Sequence, residues 1–192
     1  MPASFKLPRI DYNAPLSLTL CLACLAVFLS FVLSGGWTQA HVFSLDGSAS
    51  LANWTTWPRL FLHVLGHANF EHLFGNLIFI LLLGPRLEES YGWWRLTLIS
   101  AITALVTGLI MLLMFRGLLL GASGIVFALI ILSSFAKARS GAIPLTFVLI
   151  AIIFLGSELY QAFQGHTETA HFAHIAGGVV GGICGFFWLR GR

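Results

Sequence analysis

One apolar run opens on Gly121-Ala122-Ser123-Gly124, and another opens near His174, which is followed by Gly177, Gly178, Gly181, Gly182 and Gly185. A serine hydroxyl becomes a usable nucleophile when an imidazole takes its proton. The oxyanion left after attack on a carbonyl then needs hydrogen-bond donors beside it. Ser123 with His174 meets the first requirement, and Asn76, His72 and the backbone N–H of Ser123 can meet the second. The chemistry open to these types together is nucleophilic acyl transfer. No carboxylate stands in an obvious third position. Glu158 and Glu168 are the nearest, so a dyad is a more economical reading than a triad. Gly121 and Gly124 allow a sharp turn into a helix and a close approach of substrate backbone. The start of that helix aims free N–H groups at developing negative charge.

Such groups cooperate only if helices bring them to one depth. The chain of 192 residues is 58% hydrophobic and 9% charged, with a mean hydropathy of +0.91, far from the composition of soluble domains. It reads as an all-α polytopic membrane protein. Apolar runs at about 16–33, 72–84, 93–114, 121–136, 142–163 and 170–189 predict six transmembrane helices. These make one domain over 1–192, with a short N-terminal segment 1–15 and a long loop at about 34–71. The first run is too long for the usual signal-peptide core and is followed by further spans, so it reads as a retained anchor. Cys21, Cys24 and Cys184 all fall in apolar runs and read as small core residues rather than a disulfide framework. The net charge of +3 comes from basic residues scattered singly, which argues against a nucleic-acid partner.

Those basic residues report topology instead. Lys6, Arg9, Arg86, Arg95, Lys137, Arg139, Arg190 and Arg192 fall on one side of the six runs, and only Arg59 and Arg116 on the other, which places both termini in the cytoplasm. The long loop is then outside, where Trp37, Trp54 and Trp57 suit the bilayer interface. Ser123 lies 14 residues above Lys137, or about 21 Å along a helix. His174 lies 16 above Arg190, about 24 Å. His72 lies 14 above Arg86, with Asn76 one turn deeper on the same face. In a hydrocarbon core about 30 Å thick these groups meet at one level. A polar layer inside a membrane is costly and points to function. His171 competes with His174 for the role of base but falls higher, about 28 Å above Arg190. His63 and His67, four residues apart, have the spacing of metal ligands. A hydrogen-bonding role that orders the outer loop suits them better, because the serine site needs no metal. Glu71 and His166 show no role and read as solvated.

At these residues the sequence resembles the rhomboid family of intramembrane serine proteases. The matches are GASG at 121–124, AHIAGG at 173–178, the H-x3-H-x4-H-x3-N array of His63, His67, His72 and Asn76, and Arg59 four residues before His63. Together they span about residues 57–189. The resemblance implies a six-transmembrane-helix rhomboid-like bundle with Ser123 as nucleophile and His174 as general base and acid. It implies His72 and Asn76 as oxyanion donors, Gly121 and Ala122 on the oxyanion and substrate side, and supporting places for Phe127, His67 and Gly178. It further implies transmembrane substrates cut near helix-breaking residues, with no metal and no cofactor. Two positions depart from the family pattern. Glu88-Glu89-Ser90 stands where many members carry Glu-x-Arg, and Phe127 replaces a tyrosine four residues after the serine, leaving a ring that can pack on His174 but no hydroxyl. Short loops and the lack of an organelle presequence fit a bacterial inner membrane. The rival reading is a catalytically inactive relative that binds transmembrane clients; it would be marked by loss of the serine or the histidine, and both are present. A histidine-cluster metalloenzyme would need more ligands in paired arrays.

Overall fold

Helices dominate the computed structural model, which describes residues 10–136, 143–163 and 168–190. In chain order they are α1 (Pro15–Leu33), α2 (Thr56–Leu62), α3 (Phe70–Tyr91), α4 (Trp93–Met114), α5 (Ser123–Ser133), α6 (Leu145–Phe163) and α7 (Glu168–Arg190). Among the described residues, four stretches are long and apolar enough to cross a membrane: α1, α3, α4 and His171–Trp188 within α7. The run expected at 121–136 holds only the 11 residues of α5, about 17 Å of helix, which is less than a hydrocarbon core. Lys6, Arg9, Lys137, Arg139, His166 and Arg192 lie outside the described residues, as do the side chains of Glu158, Glu168 and Arg190.

Local chemistry sets several helix ends. Asn69 caps α3, its side-chain oxygen accepting the His72 N–H at 2.8 Å. The chain leaves α3 through Gly92 at φ +84 and enters α4 at once, a turn that suits a residue without Cβ. Pro15 stands at the start of α1, where its missing N–H costs no helical bond. The next N–H groups are taken by a residue from far along the chain. The buried Glu88 carboxylate accepts from the Leu16 N–H at 3.1 Å, the Ser17 N–H at 2.8 Å and the Ser17 hydroxyl at 2.6 Å. Gly84, one turn earlier, leaves room for the Ser17 side chain. The Glu88-Glu89-Ser90 departure therefore still yields a buried pairing, with the partner being the start of α1.

The core centres on α5, whose Gly124, Ile125, Val126, Ala128, Leu129, Ile131 and Leu132 are all buried. Its closest neighbour is α7, and glycines explain the approach. A Cβ on Gly177 would run into the Gly124 carbonyl, and one on Gly181 into the Ala128 carbonyl. A Cβ on Gly185 would sit 2.6 Å from the Phe135 ring. These three lie four residues apart, on one face. Gly178 and Gly182 face elsewhere and line an apolar cavity of about 310 Å³ with Ile131, Phe147 and Ile175. Cys21 and Cys24 are buried and, like Cys184, unbridged.

Between α1 and α3 the chain packs through short pieces. A π-helical turn (Gln39–Phe43) leads to β1 (Leu45–Asp46), which pairs antiparallel with β2 (Leu118–Leu119), placing Leu45 opposite Leu119. This two-residue ladder ties the long loop to the strand that feeds α5. Arg59 donates from its guanidinium to the His41 carbonyl, and Trp37 stacks on the His41 ring at 4.8 Å. Trp37, Trp54 and Trp57 are exposed.

Candidate active site

A cavity of about 490 Å³ opens at the end of the bundle where α3, α5 and α7 begin. Its polar lining consists of Glu71, His72 and Asn76 from α3, Ser123 from α5 and His174 from α7. Phe79, Leu119, Leu120, Val126, Phe127 and Ile130 supply most of the apolar wall. The four residues expected to carry the chemistry thus come together from three helices and share one space.

Ser123 is the first residue of α5, so the N–H groups around it have no acceptor within the helix. The turn that delivers it depends on Gly121, at φ +119. The same glycine is needed a second time, because a Cβ there would stand 2.6 Å from Cε1 and 2.8 Å from Nε2 of His72. His174 lies against Phe127, ring centroids 4.4 Å apart and planes tilted by 36°. The ring that lacks a hydroxyl still packs on the imidazole. Asn76 is buried, and its Nδ2 has no hydrogen-bond partner among the described residues. An amide donor in that condition is costly to bury unless an incoming acceptor completes it.

Behind this layer the outer-loop histidines hold the serine turn. His67 is fully buried, with Nδ1 3.1 Å from the Leu65 carbonyl. A carbonyl only accepts, so the ring proton sits on Nδ1 and the Nε2 lone pair accepts the Ala122 N–H at 3.5 Å. The Gly121 N–H goes to the His63 carbonyl at 2.9 Å, while His63 Nε2 donates to the Ala104 carbonyl of α4 at 3.1 Å. His67 also meets the His72 ring edge-on, centroids 5.1 Å apart. Burial holds His63 down to about 4 against an ordinary 6.5. It holds His67 down to about 4 as well, helped by the neighbouring His72. Both rings are neutral near pH 7, as a lone-pair acceptor at Nε2 of His67 requires.

Some expected residues stand apart from the cavity. Ala122 is fully buried and turns its N–H toward His67, so it braces the turn from behind. Gly178 lines the apolar cavity beside α6. His171 is buried and is not among the residues lining the space that His174 faces. Conversely, Glu71, read from sequence as merely solvated, lines the cavity one residue before His72. Its place four residues before Gly75, on the face that carries the site, was the available signal.

A hydroxyl, an imidazole and unspent amide donors around an apolar-walled space form a set able to attack and stabilise a peptide carbonyl. Comparison with known proteins agrees in kind. The family model described as the Rhomboid domain matches residues 54–191. Among curated relatives, the chain is similar to Rhomboid protease GlpG of Salmonella paratyphi A and of Salmonella typhi. Each is 26% identical over 181 residues, an alignment covering 87% of this chain and 60% of the relative. The chain therefore spans about 60% of the length of those relatives.

Proposed function

This chain belongs to the rhomboid family, and on that footing we propose that it is an intramembrane serine endopeptidase in which Ser123 and His174 form the catalytic dyad. The observation that carries the reading is the convergence of Ser123, His174, His72 and Asn76 on one cavity, with the Asn76 amide left without a partner among the described residues. His174 takes the Ser123 hydroxyl proton as Oγ bonds to the scissile carbonyl carbon, and the carbonyl π pair moves onto oxygen. That oxyanion accepts from Asn76 Nδ2, from a His72 ring N–H and from the Ser123 backbone N–H at the start of α5. His174 then gives its proton to the leaving amine, the C–N bond breaks, and an acyl ester remains on Ser123. Water, deprotonated by His174, adds to the ester carbonyl. Collapse breaks the bond to Oγ, which regains the proton from His174.

The substrates are transmembrane segments. A helical peptide has its carbonyls bonded within the helix, so the segment must unwind locally to offer one to Ser123. In this reading residues 1–192 form one six-span domain in a bacterial inner membrane. Both termini are cytoplasmic, α5 and α6 complete the set of spans, and the cavity opens toward the outer face, from which water enters.

Cleavage of a transmembrane reporter by detergent-purified protein tests this, with Ser123→Ala, His174→Ala and a chelator in parallel. The expected result is loss of cleavage by at least about a thousandfold in both variants, with no effect of chelator. Persisting cleavage in Ser123→Ala removes the nucleophile assigned here. A folded wild-type protein that binds reporters without cutting them favours the client-binding alternative.

A further inference from the structure

We propose that Glu71 is a specificity-determining residue that favours substrates bearing lysine or arginine in the flank that projects from the bilayer at the cavity mouth, and disfavours acidic flanks. This rests on reading the cavity as a peptide-cleaving site. Among the described residues that line the cavity, Glu71 is the one acidic side chain and none is lysine or arginine; the others are apolar, hydroxyl, amide or imidazole groups. Its carboxylate is exposed, and no hydrogen bond or ion pair among the described residues occupies it. It sits in the first turn of α3.

Glu71 stands beside the reacting groups of α3, one residue before His72. Asn76 and Phe79 lie one and two turns further along α3, so the carboxylate stands at the mouth while Asn76 faces the cavity interior. A charge so placed acts on a charged substrate flank at that end of the cavity, and the ratio between oppositely charged flanks separates this effect from any change in overall rate. Apolar walls such as Phe79, Val126 and Ile130 lower the local dielectric and lengthen its reach beyond that of a carboxylate on an open surface. Lysine and arginine are scarce in the outer flanks of bacterial spans, so a preference for them discriminates strongly among membrane proteins.

The test uses two transmembrane reporters identical except for one outer-flank position, lysine in one and glutamate in the other, cut by the purified full chain. The wild type is expected to favour the lysine reporter in kcat/KM by roughly five- to tenfold at low salt, shrinking as salt screens the charge. Glu71→Gln should bring the ratio near one, and Glu71→Lys should invert it. Equal cleavage by the wild type at every flank position scanned, or a ratio that Glu71→Lys leaves unchanged, overturns the proposal. Binding of labelled reporters to Ser123→Ala protein reads the preference without turnover. A lysine-over-glutamate difference in Kd that Glu71→Gln abolishes supports the proposal even if the wild type cuts nothing, a result that would sink only the protease reading. Equal Kd values overturn the proposal itself.

Discussion

His67 acts through one lone pair, so its contribution depends on which nitrogen carries the proton. The Leu65 carbonyl fixes that proton on Nδ1 and leaves Nε2 to accept the Ala122 N–H. Replacing it with alanine removes the acceptor behind the serine turn and the edge that supports His72. His67→Ala is expected to lower kcat about tenfold or more with a smaller change in KM, and His67→Gln, which keeps an acceptor oxygen, to recover part of it. Steady-state kinetics on folded protein decides, and equal loss in both variants would mean that bulk rather than the lone pair matters. Protonation at Nε2, as pH falls toward about 4, would set a donor against a donor and weaken the turn in the same way. The types proposed to react, and that helices bring them to one cavity, were legible in the sequence, because acyl transfer needs a nucleophile, a base and donors. The direction of the Ala122 N–H was not, since adjacency to Ser123 says nothing of which way a peptide plane faces. Glu71 escaped for a related reason: a carboxylate at a helix start is usually a solvated, dipole-pairing residue, and only the assembled cavity shows what it overlooks.

Helix contacts set the spacing between the elements that carry Ser123 and His174. Gly177 lies one turn below His174 and touches the Gly124 backbone, next to the serine. Gly177→Ala must push α7 from α5 at the level of the dyad, and a fall in kcat of about tenfold or more is expected while the helical content by circular dichroism is kept. At the far end of α3, Glu88→Gln keeps the shape of the cap but loses charge-assisted bonds to the start of α1. A loss of about 1–3 kcal/mol in stability is expected, read as a lower melting temperature, with kcat of the folded enzyme far less affected than by Gly177→Ala. Apolar runs marked α1, α4, α6 and α7 and the start of α3 within a few residues, because burial in lipid demands an unbroken stretch. Helix α3 continues to Tyr91, seven residues past its run, through the polar segment 86–90 whose Glu88 is buried against α1. The run at 121–136 overstated α5 at both ends, since Gly121 turns with positive φ before it and residues 134–136 close it as a turn. The short pieces between α1 and α3 carry no periodicity of their own. They are held by tertiary bonds such as that from Arg59 to the His41 carbonyl.

At the scale of the molecule, two buried neutral imidazoles link folding to pH. Exposed imidazoles in an unfolded chain protonate near 6.5, whereas His63 and His67 resist until about 4. Between those values the unfolded state holds more protons, so stability falls as pH drops through the window and levels off below it. Thermal unfolding in detergent from pH 7.5 to 4 should show a falling melting temperature, with a shallower fall in His67→Gln. A flat profile would show that neither ring is held neutral. Membership in a membrane class was the easiest feature to read, because composition alone excludes a soluble core. The Glu88 staple was the hardest, because no local pattern announces a bond between positions 71 residues apart. That separation has a consequence during biosynthesis. A ribosome adds about 5–20 residues each second, so the start of α1 waits roughly 4–14 s for Glu88 to be made, longer still for it to clear the exit tunnel. The start of the first helix passes through that interval without its Glu88 partner and is secured only when the third helix arrives.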